Sequence, residues 1–349
     1  MNILYAIQGT GNGHLTRAMS LVPKFAAHGN VDVLLSGIQA DVKLPFPVKY
    51  RYHGMSFIFG KRGGIDFWST YRKARIRQFV KEVRTLDVSP YDLVISDFEP
   101  ISAWACLNAN RPCIGLSNQA TLLTEGSPQP SKDDLLGRFI LRNYAPTTSA
   151  YGFHYMRYNN SIYTPIIRDE IRELECSNDG HYTVYLPAYD DKSIIKMLRK
   201  FPHADWEVFS KHTNRKYYKK NVLVRPIANA PFMKSFASCA GIVCAAGFGT
   251  TTEALYLGKK LLAVPQKSQF EQQCNAIALK QLGVSVMKSL KTRHTPSLSH
   301  WLEHGEAIHL NYPDIANELV TDIVSAHVLK QDTAELRTLN GAQYYQRPA

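Results

Sequence analysis

At 349 residues the chain has room for about two domains of the usual ~150 residues each. Its 45% hydrophobic and 20% charged content is that of a globular protein and excludes a disordered or fibrous one. The net charge of +12 favours acidic partners, whether nucleic acid, anionic lipid or phosphorylated substrates, without choosing among them.

No apolar run reaches the ~18 residues of a membrane-spanning helix, and MNILYAIQGTG lacks a basic n-region, so neither a membrane span nor a signal peptide is expected. The six cysteines (Cys106, Cys113, Cys176, Cys239, Cys244 and Cys274) are scattered with no CxxC pair. They read as thiols in a reducing cytoplasm, without disulfides or structural zinc.

In chain order, residues 2–7 form an apolar strand, 8–13 a glycine loop, 14–27 a helix with apolar spacing through Leu15, Ala18, Leu21, Val22 and Phe25, and 31–35 a second strand. This β-loop-α-β opening starts a doubly wound sheet. The dinucleotide fingerprint fails, because GxGxxG from Gly9 needs glycine where His14 stands, and no acidic residue ends the second strand. A Walker A loop is also absent. The loop therefore brings backbone close to some other ligand and displays His14 at a helix start.

Residues 48–84 interleave aromatics (Phe57, Phe59, Phe67, Trp68, Tyr71) with Lys61, Arg62, Arg72, Lys73, Arg75 and Arg77. Such a run is usually a solvated face; the functional alternative is a surface for anionic lipid or a phosphorylated acceptor. Residues 91–96 form a buried strand ending at Asp97, at the strand end where open α/β sheets place ligands. A helix over 101–108 and a strand over 112–116 lead to Ser117, Asn118 and Gln119, and 120–150 reads as loop-rich. A second α/β series begins near 181: strands at 181–186, 206–210 and 222–224, helices at 191–201 and 230–237, and a basic loop at 211–220. Asp190 and Asp191 suggest a metal pair, but the helix N-cap is the better reading.

The most informative stretch runs over 243–275, VCAAGFGTTTEALYLGKKLLAVPQKSQFEQQCN. It reads as a strand, a small-residue loop (245–249), a helix from Thr250 to Gly258, a strand (260–264), and a polar loop with Gln266, Gln269, Glu271, Gln272, Gln273 and Asn275. A glycine loop opening a helix exposes N–H groups at the positive end of the helix dipole and suits a phosphate. The Gln/Glu/Asn loop suits hydroxyls. Together they point to a nucleotide sugar. A final helix is expected over 313–329, packing back across the domain boundary, before a frayed tail.

Two glycine loops, one opening each half, with the donor-type stretch in the second, resemble the GT-B glycosyltransferases over nearly the whole chain. The nearest likeness is to the lipid II-forming N-acetylglucosaminyltransferase (glycosyltransferase family 28), and more loosely to the nucleotide-sugar glucosyl- and glucuronosyltransferases (family 1). The motifs are residues 246–275, QGTGNGHLTRA at 8–18, and DLVISD at 92–97. The departures are Asn12 among the first glycines, Phe248 in the phosphate loop, and the acceptor-side segments at about 45–85 and 120–160, to which the resemblance does not extend.

The resemblance implies roles. His14 would be the base deprotonating the acceptor hydroxyl and Asp97 the carboxylate orienting it. Gly11 and Gly13 would admit backbone to phosphate or acceptor. Gly247, Phe248, Gly249, Thr250, Thr251 and Thr252 would hold the pyrophosphate, and Glu253 the ribose. Gln272 and Gln273, with Gln269 in the same loop, would read sugar hydroxyls; Ile227 and Ala228 would present backbone to uracil. The plain alternatives are a capping His14, a structural Asp97 with Glu99 as the competing partner, a dipole-favoured Glu253, and surface glutamines. No DxD occurs, Asp97-Phe98-Glu99 being only an approximation, so a metal-clamped mechanism is not expected.

The expected fold is α/β, GT-B, with two Rossmann-like domains: residues 1–160 on the acceptor side, 161–325 binding the donor, and a tail over 326–349. The expected function is metal-independent, inverting hexosyl transfer from a nucleotide diphosphate sugar, UDP-sugar foremost, to an acceptor hydroxyl on a lipid or cell-envelope precursor. No cofactor beyond that co-substrate is expected. The alternatives are a UDP-N-acetylglucosamine 2-epimerase-like isomerase and a nucleic-acid-binding protein, the latter disfavoured because no such motif occurs. The expected location is cytoplasmic, with peripheral attachment to the inner face of the plasma membrane through 57–77 as an open possibility; the oligomeric state is open.

Overall fold

The computed structural model describes residues 1–37, 44–55, 76–130, 134–158, 162–267 and 269–329. The basic aromatic segment read at 57–77 lies outside these except for its last two residues, and so does the tail from 330.

Among the described residues the chain builds two seven-stranded sheets. The first contains β1 (Asn2–Gln8), β2 (Asn30–Ser36), β3 (Tyr50–Tyr52), β4 (Leu93–Asp97), β5 (Ile114–Ser117), β6 (Ser149–Phe153) and β7 (Ile162–Tyr163), in the order β3-β2-β1-β4-β5-β6-β7, all parallel. The second contains β8 (Tyr182–Tyr185), β9 (Trp206–Ser210), β10 (Tyr217–Lys219), β11 (Val222–Pro226), β12 (Gly241–Cys244), β13 (Lys260–Ala263) and β14 (Ser285–Val286), in the order β10-β11-β9-β8-β12-β13-β14. Only β10 runs antiparallel, against β11.

The central strands are continuous apolar runs because helices cover both faces of a parallel sheet. Along β1, Ile3, Tyr5 and Ile7 join the core under α1 (Asn12–Ala26), whereas Leu4 and Ala6 join Val83 of α2 (Ile76–Thr85) and Ile101 and Ala105 of α3 (Pro100–Asn108). The two-residue period of a strand sets that division. In α1 the buried Leu15, Ala18, Leu21, Val22 and Phe25 recur at helical spacing.

Residues 120–150 are more regular than the sequence suggested. A single helical turn (Asn118–Thr121), α4 (Leu135–Asn143) and β6 lie there, and Asp134 caps α4 by accepting from the Gly137 N–H at 2.8 Å. After α5 (Asp169–Arg172) the second half carries α6 (Asp191–Leu198), α7 (Asn229–Ser238), α8 (Phe248–Tyr256), α9 (Phe270–Gln281) and α10 (Thr295–His304). The last helix, α11 (Ala316–His327), returns to the first half: Leu319, Val320 and Ile323 share the core with α1, and His327 Nε2 lies 2.9 Å from the Tyr151 hydroxyl. The first sheet extends to Tyr163, just past the 160/161 division. No helix among the described residues is long and apolar enough to cross a membrane.

Candidate active site

In each sheet the strand order reverses at one point, between β1 and β4 and between β8 and β12, and open α/β sheets bind ligands in the crevice outside such points. Both crevices open on one cavity of about 370 Å³, lined by residues of both halves. Gly11 caps α1 and Gly247 caps α8, neither helix has a side-chain cap, and the loops face each other: a Cβ on Gly249 would lie 3.9 Å from the Gly13 Cα. The positive ends of two helix dipoles therefore converge with open N–H groups, an arrangement that attracts an anion. A methyl group added at Gly11, Gly13 or Gly247 would meet nothing within 4 Å, so the protein's own packing does not demand glycine there.

His14 is the third residue of α1, and its Nδ1 lies 2.7 Å from Oδ1 of the fully buried Asp97 at the end of β4. The carboxylate accepts, so Nδ1 carries a proton, and in the neutral ring Nε2 is then the acceptor. Glu99, the competing partner, is occupied elsewhere: it caps α3 by accepting from the N–H groups of Ile101 at 2.8 Å and Ser102 at 2.7 Å.

Arg17 was not singled out from the sequence. Its Nε donates to Asp97 Oδ2 at 3.0 Å, its Nη2 to Oδ1 at 2.5 Å, and Nη2 also lies 3.1 Å from His14 Nδ1. Burial by itself raises the Asp97 carboxyl, but the Arg17 guanidinium and the hydrogen bonds from Arg17 and His14 outweigh it and hold the group below the usual carboxylate range. The available signal was its place three residues after His14, on the same helix face.

Glu253 lines the cavity in the first turns of α8, where Arg168 grips it through Nε at 2.7 Å and Nη2 at 3.1 Å. An ionised carboxylate keeps further lone pairs for hydroxyl donors. Phe248, Gly249, Thr250, Thr252, Ile227, Gln269 and Gln272 also lie on the cavity wall. Thr251, Ala228 and Gln273 do not. The Thr251 hydroxyl bonds Gly247 O at 2.7 Å and meets the Tyr155 hydroxyl at 2.7 Å, and Gln273 Nε2 donates to Gln266 O at 2.9 Å. The helix begins at Phe248 rather than Thr250, which turns Thr251 inward.

Lys211 and Gln119 line the wall without having been read as site residues, whereas Gln266, Gln269 and Glu271 belong to the polar loop read as suiting hydroxyls. Lys211 follows β9 and has no ion-pair partner among the described residues. Glu271 bridges the halves, accepting from Asn118 Nδ2 at 2.9 Å and Gln119 Nε2 at 3.0 Å. The side-chain oxygens of Gln119, Gln266 and Gln269 are buried at the cavity without hydrogen-bond partners among the described residues. Asp190 and Asp191 are structural: Asp190 caps α6, accepting from Ser193 N at 2.8 Å, and Asp191 accepts from the hydroxyls of Ser210 and Tyr217.

The chain is 23% identical over 337 residues to an uncharacterized glycosyltransferase of Methanosarcina mazei, with 84% of this chain and 86% of that one covered. The S. aureus MnaA–UDP structure superposes with a TM-score of 0.60 at 9% identity, covering 95% of this chain and 98% of that one. LpCGTa in complex with UDP superposes at 0.54 and 13% identity, covering 99% of each. At such identities these likenesses show the GT-B fold. The profile of glycosyl transferase family 1 matches residues 1–304, and the chain therefore belongs to that family of glycosyltransferases.

Proposed function

We propose that the protein transfers a hexosyl group, with inversion and without a metal, from a UDP-sugar to an acceptor hydroxyl. The observation that carries the reading is the pair of opposed, uncapped helix N-termini, with open glycines between them and His14 at one of them. The donor diphosphate binds where the two dipoles converge, and those dipoles, the loop N–H groups and Lys211 stabilise it as it leaves. The unpartnered oxygens of Gln266 and Gln269 accept hydroxyl protons of the donor. His14 Nε2 takes the proton of the attacking hydroxyl, while Asp97 holds the ring and stabilises the imidazolium. The oxygen attacks the anomeric carbon from the face opposite the diphosphate, the new glycosidic bond forms, the bond to UDP breaks, and the configuration inverts. The UDP named for the two structural neighbours supports the choice of base.

A thermal-shift screen against UDP, GDP, TDP and their sugars, with and without EDTA, tests the reading. Binding to the folded state at 100 times Kd stabilises by about 2.7 kcal/mol. Selective stabilisation by UDP and UDP-sugars that survives EDTA supports it; no nucleotide response, or one abolished by EDTA, opposes it. An epimerised sugar formed from UDP-N-acetylglucosamine alone would indicate an isomerase instead.

A further inference from the structure

Gln119 stands on the acceptor side of the cavity, in the helical turn after β5, and is 7% exposed. Its Nε2 donates to Glu271 at 3.0 Å and lies 3.5 Å from His14 Nε2. Glu271 also receives Asn118 at 2.9 Å, so both of its oxygens face the first half. An ionised carboxylate only accepts, and so does His14 Nε2 once Nδ1 carries the proton. Both neighbours therefore require the NH2 end of the Gln119 amide, and its orientation is fixed. The other end, Oε1, is buried with no partner among the described residues. A buried acceptor left without a donor is unfavourable until a ligand donor reaches it.

The adjoining wall is aromatic. Phe98, directly after Asp97, is held at φ 54° and its ring lies 4.9 Å from that of Tyr144, both on the cavity. A non-glycine residue in the left-handed region is uncommon and strained, and such positions cluster at functional sites. One apolar ring face beside one unfilled acceptor matches a carbohydrate ring, with its C–H face and its hydroxyl edge.

We propose that the acceptor is a sugar or polyol carrying hydroxyls on adjacent carbons, one presented to His14 Nε2 and its neighbour donating to Gln119 Oε1. Gln119 is thus a positioning residue that selects a vicinal diol over a lone alcohol or phenol. The proposal rests on the glycosyl-transfer reading for the place of the reacting hydroxyl. A site built to bond a hydroxyl rejects the analogue lacking it, because its own buried group is left unpaired.

The test uses the full chain saturated with UDP and titrated, by calorimetry or saturation-transfer NMR, with methyl glycosides and their deoxy analogues, and with cis-1,2-cyclohexanediol against cyclohexanol and phenol. Wild type is expected to bind at least one diol about tenfold or more tightly than its deoxy or monohydroxy counterpart. In Gln119→Met, of similar shape but with no acceptor, that ratio is expected to fall to about one while the UDP Kd stays within about twofold, which also reports that the variant is folded. Equal binding of diol and lone alcohol by wild type, an unchanged ratio in Gln119→Met, or UDP binding with no diol binding at all overturns the proposal. Failure to bind UDP instead defeats the nucleotide-sugar reading.

Discussion

Arg17 holds the same carboxylate that receives His14: Asp97 takes the imidazole Nδ1 at 2.7 Å and the guanidinium Nε at 3.0 Å. The buried anion is thus shared between a ring proposed to gain a proton during transfer and a cation that keeps its charge. Asp97→Asn leaves a buried guanidinium without its counter-charge, a change that costs about 3–5 kcal/mol at neutral pH. Because the folded carboxyl is held low, the stability it contributes is full above the unfolded value of about 3.9 and disappears as pH falls through the lower folded value. Urea denaturation should show a wide gap between wild type and Asp97→Asn at pH 7 that narrows below about pH 4. A gap independent of pH would remove the carboxylate from the account.

The glycines of the two loops give a separation of folding from binding. Gly247→Ala places its methyl group in open space, so unfolding free energy should change by no more than about 0.5–1 kcal/mol. The same methyl group stands where a diphosphate is proposed to touch backbone, and UDP affinity should fall by about tenfold or more, equivalent to 1.4 kcal/mol. Denaturation and calorimetry on one preparation check both halves of this expectation. Unaltered UDP affinity would show that the phosphate lies elsewhere.

His154 predicts an acid-sensitive component unrelated to the active site. It is 1% exposed, both ring nitrogens lack partners among the described residues, and burial pushes its pKa down to about 4. The folded ring is neutral while the unfolded one takes a proton below about 6.5, so stability is full above that value and declines as pH falls toward about 4. The loss across that window is of order 3 kcal/mol. His327, also shifted down by burial, adds to it in the same direction. His154→Phe should flatten the stability profile between those limits; an unchanged slope would assign the acid sensitivity to other groups.

Much of this was legible before any coordinates. Buried parallel strands are continuous apolar runs, so β1, β4 and β12 announced themselves, and the glycine loops after β1 and β12 followed. The His14–Asp97 relationship was legible only through the family likeness, since 83 residues separate them. Arg17 looked like any polar residue of an amphipathic helix, because nothing local reveals that its partner is a strand end 80 residues away. Glu271 meeting Gln119 is likewise a contact between halves, formed by packing rather than by local pattern. Thr251 misled for a local reason: the helix starts two residues earlier than its threonines suggest, and this rotates the second hydroxyl inward.

The claim on which the rest depends is that His14 is the base. Transfer from the UDP-sugar identified by thermal shift, measured in wild type and His14→Ala together with UDP affinity, tests it most directly. General-base catalysis is worth about 10²–10⁴-fold, so kcat should fall by that factor while the UDP Kd and the folded state are retained. Near-wild-type turnover by a folded His14→Ala protein would contradict the account.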